Sequence, residues 1–350
     1  MMNLSRTAIS ALAALGLAAP LAAGLAPAAA SEDTEVPTRN IDLNDLPAGG
    51  EPMIPWLESE STIHTPGSEL PVSPELDVRT FAPIGPEQFV ALDDTTGDGS
   101  HNRLVRIDDQ GTTEIAEGPV TRPFVVSDDG ERIAWSEWTG DNGRLVLAES
   151  DTGKELAETP IDAETYTVGF SEDDVIVEQP SGGPAQIWTP GDGVTDIDDT
   201  FGATATDPQE GLASVMQEHG ELTYWAAVYT QGSAPELWRT YDAVPVSFSP
   251  DGRYVWARDT GTDDALPSSM FLLDAETGEK IMHVDVEGVT QRVSWEPGGS
   301  IVFDTWTTDG EMALVRCSTA ADGDCELATD PEPSNPGDDE SLPYRLAERF

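Results

Sequence analysis

The sequence predicts an all-β chain folded as a single β-propeller, and three observations carry that expectation. A turn recurs about every 43 residues, period-two apolar strands lie between Gly- and Asp-rich turns, and no 3.6-residue apolar stripe runs through the chain beyond its first 30 residues. In each recurrence a tight turn is followed three residues on by a branched or aromatic residue. The pairs are Pro86 and Phe89, Gly130 and Ile133, Asp174 and Val177, Gly252 and Val255, and Gly299 and Val302. Successive steps are 44, 44, 78 and 47 residues. The long step holds two periods with one degenerate unit, where either Gly211 or Gly220 serves as the turn. This period is that of a four-stranded blade, not of a helical solenoid.

Each unit repeats one internal grammar. An apolar first strand comes first, around Phe124, Phe170, Phe248 or Trp295, and ends in a Ser-x-Asp-Gly turn: Ser127 to Gly130, Ser249 to Gly252, and the altered Glu296 to Gly299. Gly ends these turns because the backbone there needs φ > 0, which Gly adopts without strain. A second strand and a polar loop follow, then a third strand around Leu147 or Leu273. A Thr-Gly turn at Gly153 or Gly278 opens the fourth. Six such units are visible from about residue 78 to 330. Short strands near Trp56, Ile63 and Leu70 supply a seventh blade, completed by the segment Leu342 to Leu346. The expectation is seven four-stranded blades, with six as the alternative, since a ring is stable only when its first and last blades share hydrogen bonds.

The ends divide off by composition. Residues 1–30 read as a signal peptide: Arg6 gives the positive start, 8–25 are apolar, and Ala28, Ala29 and Ala30 end the segment with small residues, so cleavage is expected after Ala30 and the protein is expected to be secreted. Pro20, Gly16 and Gly24 weaken a membrane span, and no later apolar run is long enough for one. Residues 31–51 read as a flexible acidic linker, 52–330 as the propeller, and 331–350 as an acidic, Pro-rich C-terminal tail that could supply the closing strand. With 17 Lys+Arg against 66 Asp+Glu the net charge is −49, which excludes a nucleic-acid partner and favours a hydrated monomer. Cys317 and Cys325 flank an Ala-Asp-Gly-Asp turn and, in an exported chain, read as a hairpin disulfide.

The units Phe248 to Trp256 with Leu272 to Gly278, and Val126 to Trp135 with Asp151 to Gly153, resemble the repeat of TolB-like and WD-repeat-like propellers. The chain from about 52 to 330 also resembles secreted propellers of GC-rich Gram-positive bacteria, with Ile54, Pro55 and Trp56 as the opening strand and a Cys-bracketed last hairpin. The resemblance implies architecture and little about activity, because propellers host many unrelated functions. The Gly-His and Trp-Asp dipeptides of WD repeats are missing, so their intracellular partnerships are not implied.

Chemistry leaves few linear traces. His64, His101, His219 and His283 are dispersed, with no pair spaced for a metal, and there is no Gly-x-Ser-x-Gly elbow or phosphate loop. No catalytic residue and no organic cofactor is assigned. Among the acidic clusters, Asp94, Thr96 and Asp98, followed by Gly99, come nearest to a calcium loop, although Val105 stands where the bidentate Glu belongs. Asp198 with Asp199, and Asp263 with Asp264, read as solvated turns. Trp135 and Trp256 fall on opposite faces of equivalent strands and are expected to pack between blades, whereas Trp138 or Trp306 at a loop mouth could contact a ligand. The sequence therefore predicts a noncatalytic module binding a protein or small ligand at the envelope or outside the cell. A calcium-binding propeller, or a hydrolase or lyase with a channel-assembled site, is the alternative.

Overall fold

A computed structural model describes residues 36–97, 101–121, 123–140, 142–179, 182–207, 212–218, 222–228, 236–260, 267–320, 323–334 and 342–348. Among these residues there are seven β-sheets. Six each take their first four strands or more from one contiguous stretch, and we number them as blades 2 to 7 in chain order. Their innermost strands are Val78–Gly85, Val125–Val126, Tyr166–Ser171, Gly202–Asp207, Ala243–Phe248 and Val293–Trp295. Blade 1 is composite. Its outer strands are Trp56–Glu58, Thr62–Thr65 and Ser68–Pro71, while its innermost strand is the C-terminal Tyr344–Leu346, paired antiparallel with Trp56–Glu58.

The core establishes that the sheets close into a ring. Among the described residues there are seven clusters of buried apolar side chains, and each joins two consecutive blades. Phe81 and Phe89 meet Leu57 and Ile63 between blades 1 and 2. Trp135 of blade 3 packs on Val90 and Leu104 of blade 2, whereas Trp256 of blade 6 packs on Phe303 of blade 7 with ring centroids 5.8 Å apart. The two tryptophans thus face opposite neighbours, as period-two alternation requires. The seventh cluster sets Trp306, Met312 and Leu314 of blade 7 against Trp56, Tyr344 and Leu346 of blade 1. Apolar burial of this kind yields roughly 25 cal/mol per Å², and here every junction between neighbouring blades contains such a cluster.

The turns between first and second strands explain why the repeat is written as it is. The hydroxyl of Ser127 donates to Asp129 Oδ1 (2.6 Å) and accepts from Arg132 N (3.0 Å), while Gly130 N donates to the carbonyl of Ser127 (2.8 Å). The Ser249 turn repeats this: Ser249 Oγ to Asp251 Oδ1 at 2.7 Å, and Tyr254 N to Ser249 Oγ at 2.9 Å. Gly130 and Gly252 have φ of 74° and 65°. The bond from Ser127 is the main cause that holds the Asp129 carboxyl below its usual range. In blade 5, Gly202–Asp207 pairs with Leu212–Glu218, so the equivalent connection is the one that includes Gly211. Gly220 falls in the next connection, and both residues lie outside the described ones.

Two expectations are corrected. Residues 36–51 are not a free linker. Thr38–Ile41 adds a fifth, parallel strand to the outer edge of blade 6, Ile41 and Leu43 are buried, and Gly49 N donates to the Leu327 carbonyl (2.8 Å). An unpaired strand edge and an apolar cluster on blades 6 and 7 outweigh the acidic composition on which the linker expectation rested. Trp306 is not at a loop mouth: it is 2% exposed, and its Nε1 donates to Ser334 Oγ (3.2 Å). Trp138 is half-buried at the end of its strand. Residues 1–35 and the tail residues 335–341 lie outside the described ones.

Candidate functional site

The innermost strands all run in one sense around the axis, so their C-terminal ends share one mouth of the central channel. There every blade contributes to a single cavity of about 100 Å³. Blade 2 supplies Ala82 and Pro83, blade 3 Val126 to Asp128, blade 4 Val168, blade 5 Thr204 to Asp207, blade 6 Val246 to Pro250 and blade 7 Ser294 and Trp295. Glu348, just beyond the closing strand, completes the ring of contributors. Because the Ser127 and Ser249 turns rim the mouth, the repeat that builds the blades also builds the site. The cavity admits several waters or the tip of one side chain.

The lining mixes hydroxyls, short apolar walls and carboxylates. Trp295 is fixed by a bond from its Nε1 to Ser247 Oγ (3.0 Å). Thr204 Oγ1 donates to Ser214 Oγ (3.0 Å). Glu348 accepts from Arg292 Nε (3.4 Å), and its backbone N–H donates to the Phe81 carbonyl (2.8 Å), which ties the chain end across to blade 2. Arg292 also faces Asp304, which is fully buried. The Asp304 Oδ1 accepts from the backbone N–H groups of Gln291 and Arg292, both at 2.8 Å. Burial, outweighing Arg292 and these bonds, pushes the Asp304 carboxyl pKa up. Arg345 on the closing strand is 2% exposed and its Nη1 donates to the Arg79 carbonyl (2.7 Å).

The residues singled out in the sequence lie elsewhere. Asp94 and Thr96 do come together, but as a turn. Asp94 Oδ1 accepts from Thr96 N and Thr96 Oγ1 (3.2 Å each) and Gly97 N (2.9 Å), and Asp94 Oδ2 stands 3.4 Å from Arg79 Nη2. A cation at Asp94 would compete with that guanidinium. Asp98 lies outside the described residues, as do Asp263, Asp264 and His219. Among the described residues no group of three or more His, Cys, Asp or Glu is arranged to hold a metal ion. His64 is stacked on Trp56 and bonded to Glu58 (3.0 Å), and His101 faces Glu117 (3.7 Å). His283 bonds Ser269 Oγ (2.8 Å), but Asp259 accepts from that same hydroxyl (3.2 Å) and does not orient the ring, so the three do not form a Ser-His-Asp relay. Cys317 and Cys325 are disulfide-bonded and buried between blades 6 and 7. Sequence reading missed the channel mouth residue by residue, because its members are one or a few per blade with no linear motif.

Fold and site together define a β-propeller whose ring is closed by its C-terminal strand and whose channel opens into one shared cavity. No known family model matches the chain, and no curated protein does. Solved structures share the fold. TolB from Acinetobacter baumannii is 15% identical with a TM-score of 0.50 over 75% of this chain, which spans 66% of the TolB chain. A candidate 6-phosphogluconolactonase from Bacteroides uniformis is 12% identical with a TM-score of 0.54, over 84% of this chain and 99% of that one. The Dos1 propeller is 12% identical with a TM-score of 0.50, over 81% of each chain. The chain therefore shares the β-propeller fold of these proteins, a likeness of fold alone. No helix among its described residues is long and apolar enough to cross a membrane.

Proposed function

We propose that the protein is an exported, noncatalytic binding module that captures a partner at the channel mouth, at the cell envelope or outside the cell. The observation that carries this reading is the convergence of all seven blades on one small cavity of mixed polar and apolar character. Export is supported by the leader-like residues 1–30 and by the Cys317–Cys325 bond, which suits an oxidising compartment. Binding is favoured over turnover because the Ser127 and Ser249 hydroxyls in the lining are held in their own turns, each bonded to the Asp two residues on and to a backbone N–H, and no His is among the described residues that line the cavity.

The test compares the mature chain with a Thr204→Trp variant, which fills the mouth, in capture from an envelope and culture-fluid extract at moderate salt. Circular dichroism melts check that the variant folds. A stoichiometric partner held by the mature chain and lost by the variant is the expected result. Equal capture by both, or turnover of a sugar lactone, glycan or peptide by the mature chain, overturns the reading.

A further inference from the structure

We infer that the Cys317–Cys325 disulfide is the latch of a releasable strap, residues 36–51, which stays on blades 6 and 7 while the bond is intact and leaves them when a dithiol reduces it. The hairpin that the bond brackets is also the dock of the strap. Cys317 pairs with Cys325, and the next two pairs along the ladder are Arg316 with Glu326 and Val315 with Leu327. Two of these residues hold the strap. Leu327 N donates to the Pro47 carbonyl (2.9 Å), and Gly49 N donates to the Leu327 carbonyl (2.8 Å). Arg316 Nη1 donates to the Gly50 carbonyl (3.1 Å) and to Glu326 Oε1 (2.7 Å), while its Nη2 donates to the Glu51 carbonyl (2.7 Å). The fit is close, since a Cβ on Gly49 would lie 2.4 Å from the Glu326 side chain.

The other end of the strap is lightly held. Thr38–Ile41 lies along the edge of blade 6, and of its four residues only Ile41 is buried. Ile41 and Leu43 share one apolar cluster with Cys317 and Cys325, so bond and strap belong to the same packed unit. Cys317 is fully buried and Cys325 is 7% exposed, and a dithiol reaches so covered a bond only through a local opening. Reduction passes two electrons and two protons from the dithiol to the two sulfurs, leaving two Cys thiols and a disulfide in the reductant. Cys325–Leu327 is a strand of only three residues, and without the covalent pair it frays from its Cys325 end towards the residues that face the strap. The coupling is reciprocal: reduction favours release, and a released strap makes the bond easier to reduce. Given the export proposed above, the strap is free while the cysteines are thiols and shuts once an oxidising compartment joins them, whereas the latch itself needs only the contacts described.

The experiment follows the mature chain by hydrogen exchange and mass spectrometry, oxidised and after dithiothreitol, with free thiols counted. His283 N–H and Glu287 N–H, which donate to the Pro37 and Ile41 carbonyls, report the strap together with Gly49 N–H. Reduction should speed exchange in peptides spanning 36–51 and 280–289 by about tenfold to a hundredfold, the scale of the closure entropy lost with a short loop. It should also open tryptic cleavage after Arg39. Peptides covering Tyr166–Ser171 of blade 4 should not change. Ile41→Asp, which keeps the bond and removes a buried anchor of the strap, should be reduced at a lower dithiothreitol concentration than the parent. Should the parent resist reduction, the Cys317→Ser, Cys325→Ser double variant supplies the unlatched state. Strap peptides that exchange at the parent rate in a folded chain lacking the bond overturn the inference. Equal acceleration in every blade overturns it as well, because the bond would then be a staple of the whole ring, and so does a folded Ile41→Asp chain that is no easier to reduce.

Discussion

Gly97 and Gly130 share a φ of 74° and differ in what surrounds them, so their alanine variants separate backbone strain from inter-blade packing. At Gly97 an added Cβ meets nothing within 4 Å. Gly97→Ala should therefore cost only the left-handed conformation, about 1–2 kcal/mol. At Gly130 the same Cβ would lie 2.6 Å from the carbonyl oxygen of Ile84, a backbone atom of the neighbouring blade that cannot rotate away. Gly130→Ala should carry the same strain plus about 1–3 kcal/mol of overpacking. With about 2–4 °C per kcal/mol for a domain of 150–250 residues, and no more for this larger one, the Gly130 variant should melt several degrees below the Gly97 variant. Urea denaturation of the two variants and the parent, read by tryptophan fluorescence, measures the difference directly. Equal destabilisation of both would refute the claim that blades 2 and 3 meet in rigid backbone contact at this turn.

Other perturbations probe the seam and the buried charges. Arg345→Ala removes a buried guanidinium bonded to the Arg79 carbonyl and should cost about 3 kcal/mol, measured by denaturant midpoint. Deleting residues 342–350 removes the inner strand of blade 1 and should give soluble aggregates in size-exclusion chromatography, because both the first and last blades then present open edges. Asp304 has a folded-state pKa raised by burial, so its stabilising contribution is complete below the unfolded-state value of about 3.9 and is lost as pH rises through the folded value. The stability of the parent relative to Asp304→Asn should accordingly fall as pH rises from about 4 towards neutral, and a constant difference would refute the assignment. Replacing Cys317 and Cys325 by Ser should cost about 2–3 kcal/mol and speed hydrogen exchange at Gly49, whose N–H bonds Leu327 in the same hairpin.

The architecture was legible because its signals are local and repeated. A Ser-x-Asp-Gly turn encodes its own hydrogen bonds, as Ser127 and Ser249 show, and alternation places Trp135 and Trp256 on opposite faces without further information. The segment 36–51 was misread for the complementary reason. Its pairing partner, Lys280–Val286, lies over 200 residues away, and nothing within an acidic, Pro-rich stretch announces a parallel strand. Trp306 was misplaced because its cover comes from Ser334 and from the closing seam. The cavity was invisible residue by residue: Val168, Asp207 and Glu348 meet only because the ring closes. Asp94 shows the reverse hazard, a ligand-like spacing whose carboxylate the chain uses to hold its own turn.

The composite blade also has a consequence for how the chain must be made. The innermost strand of blade 1 follows all of blades 2 to 7 in the chain, so every nascent chain is an open arc until that strand has been added. Such an arc exposes one apolar blade face at each end, the surfaces later sealed by Trp306 and Trp56, and these would pair readily with those of another unfinished copy. The net charge of −49 acts on this intermediate before it acts on any partner, since it keeps unfinished copies apart in the interval before closure. Surface acidity thereby protects the assembly of the apolar core.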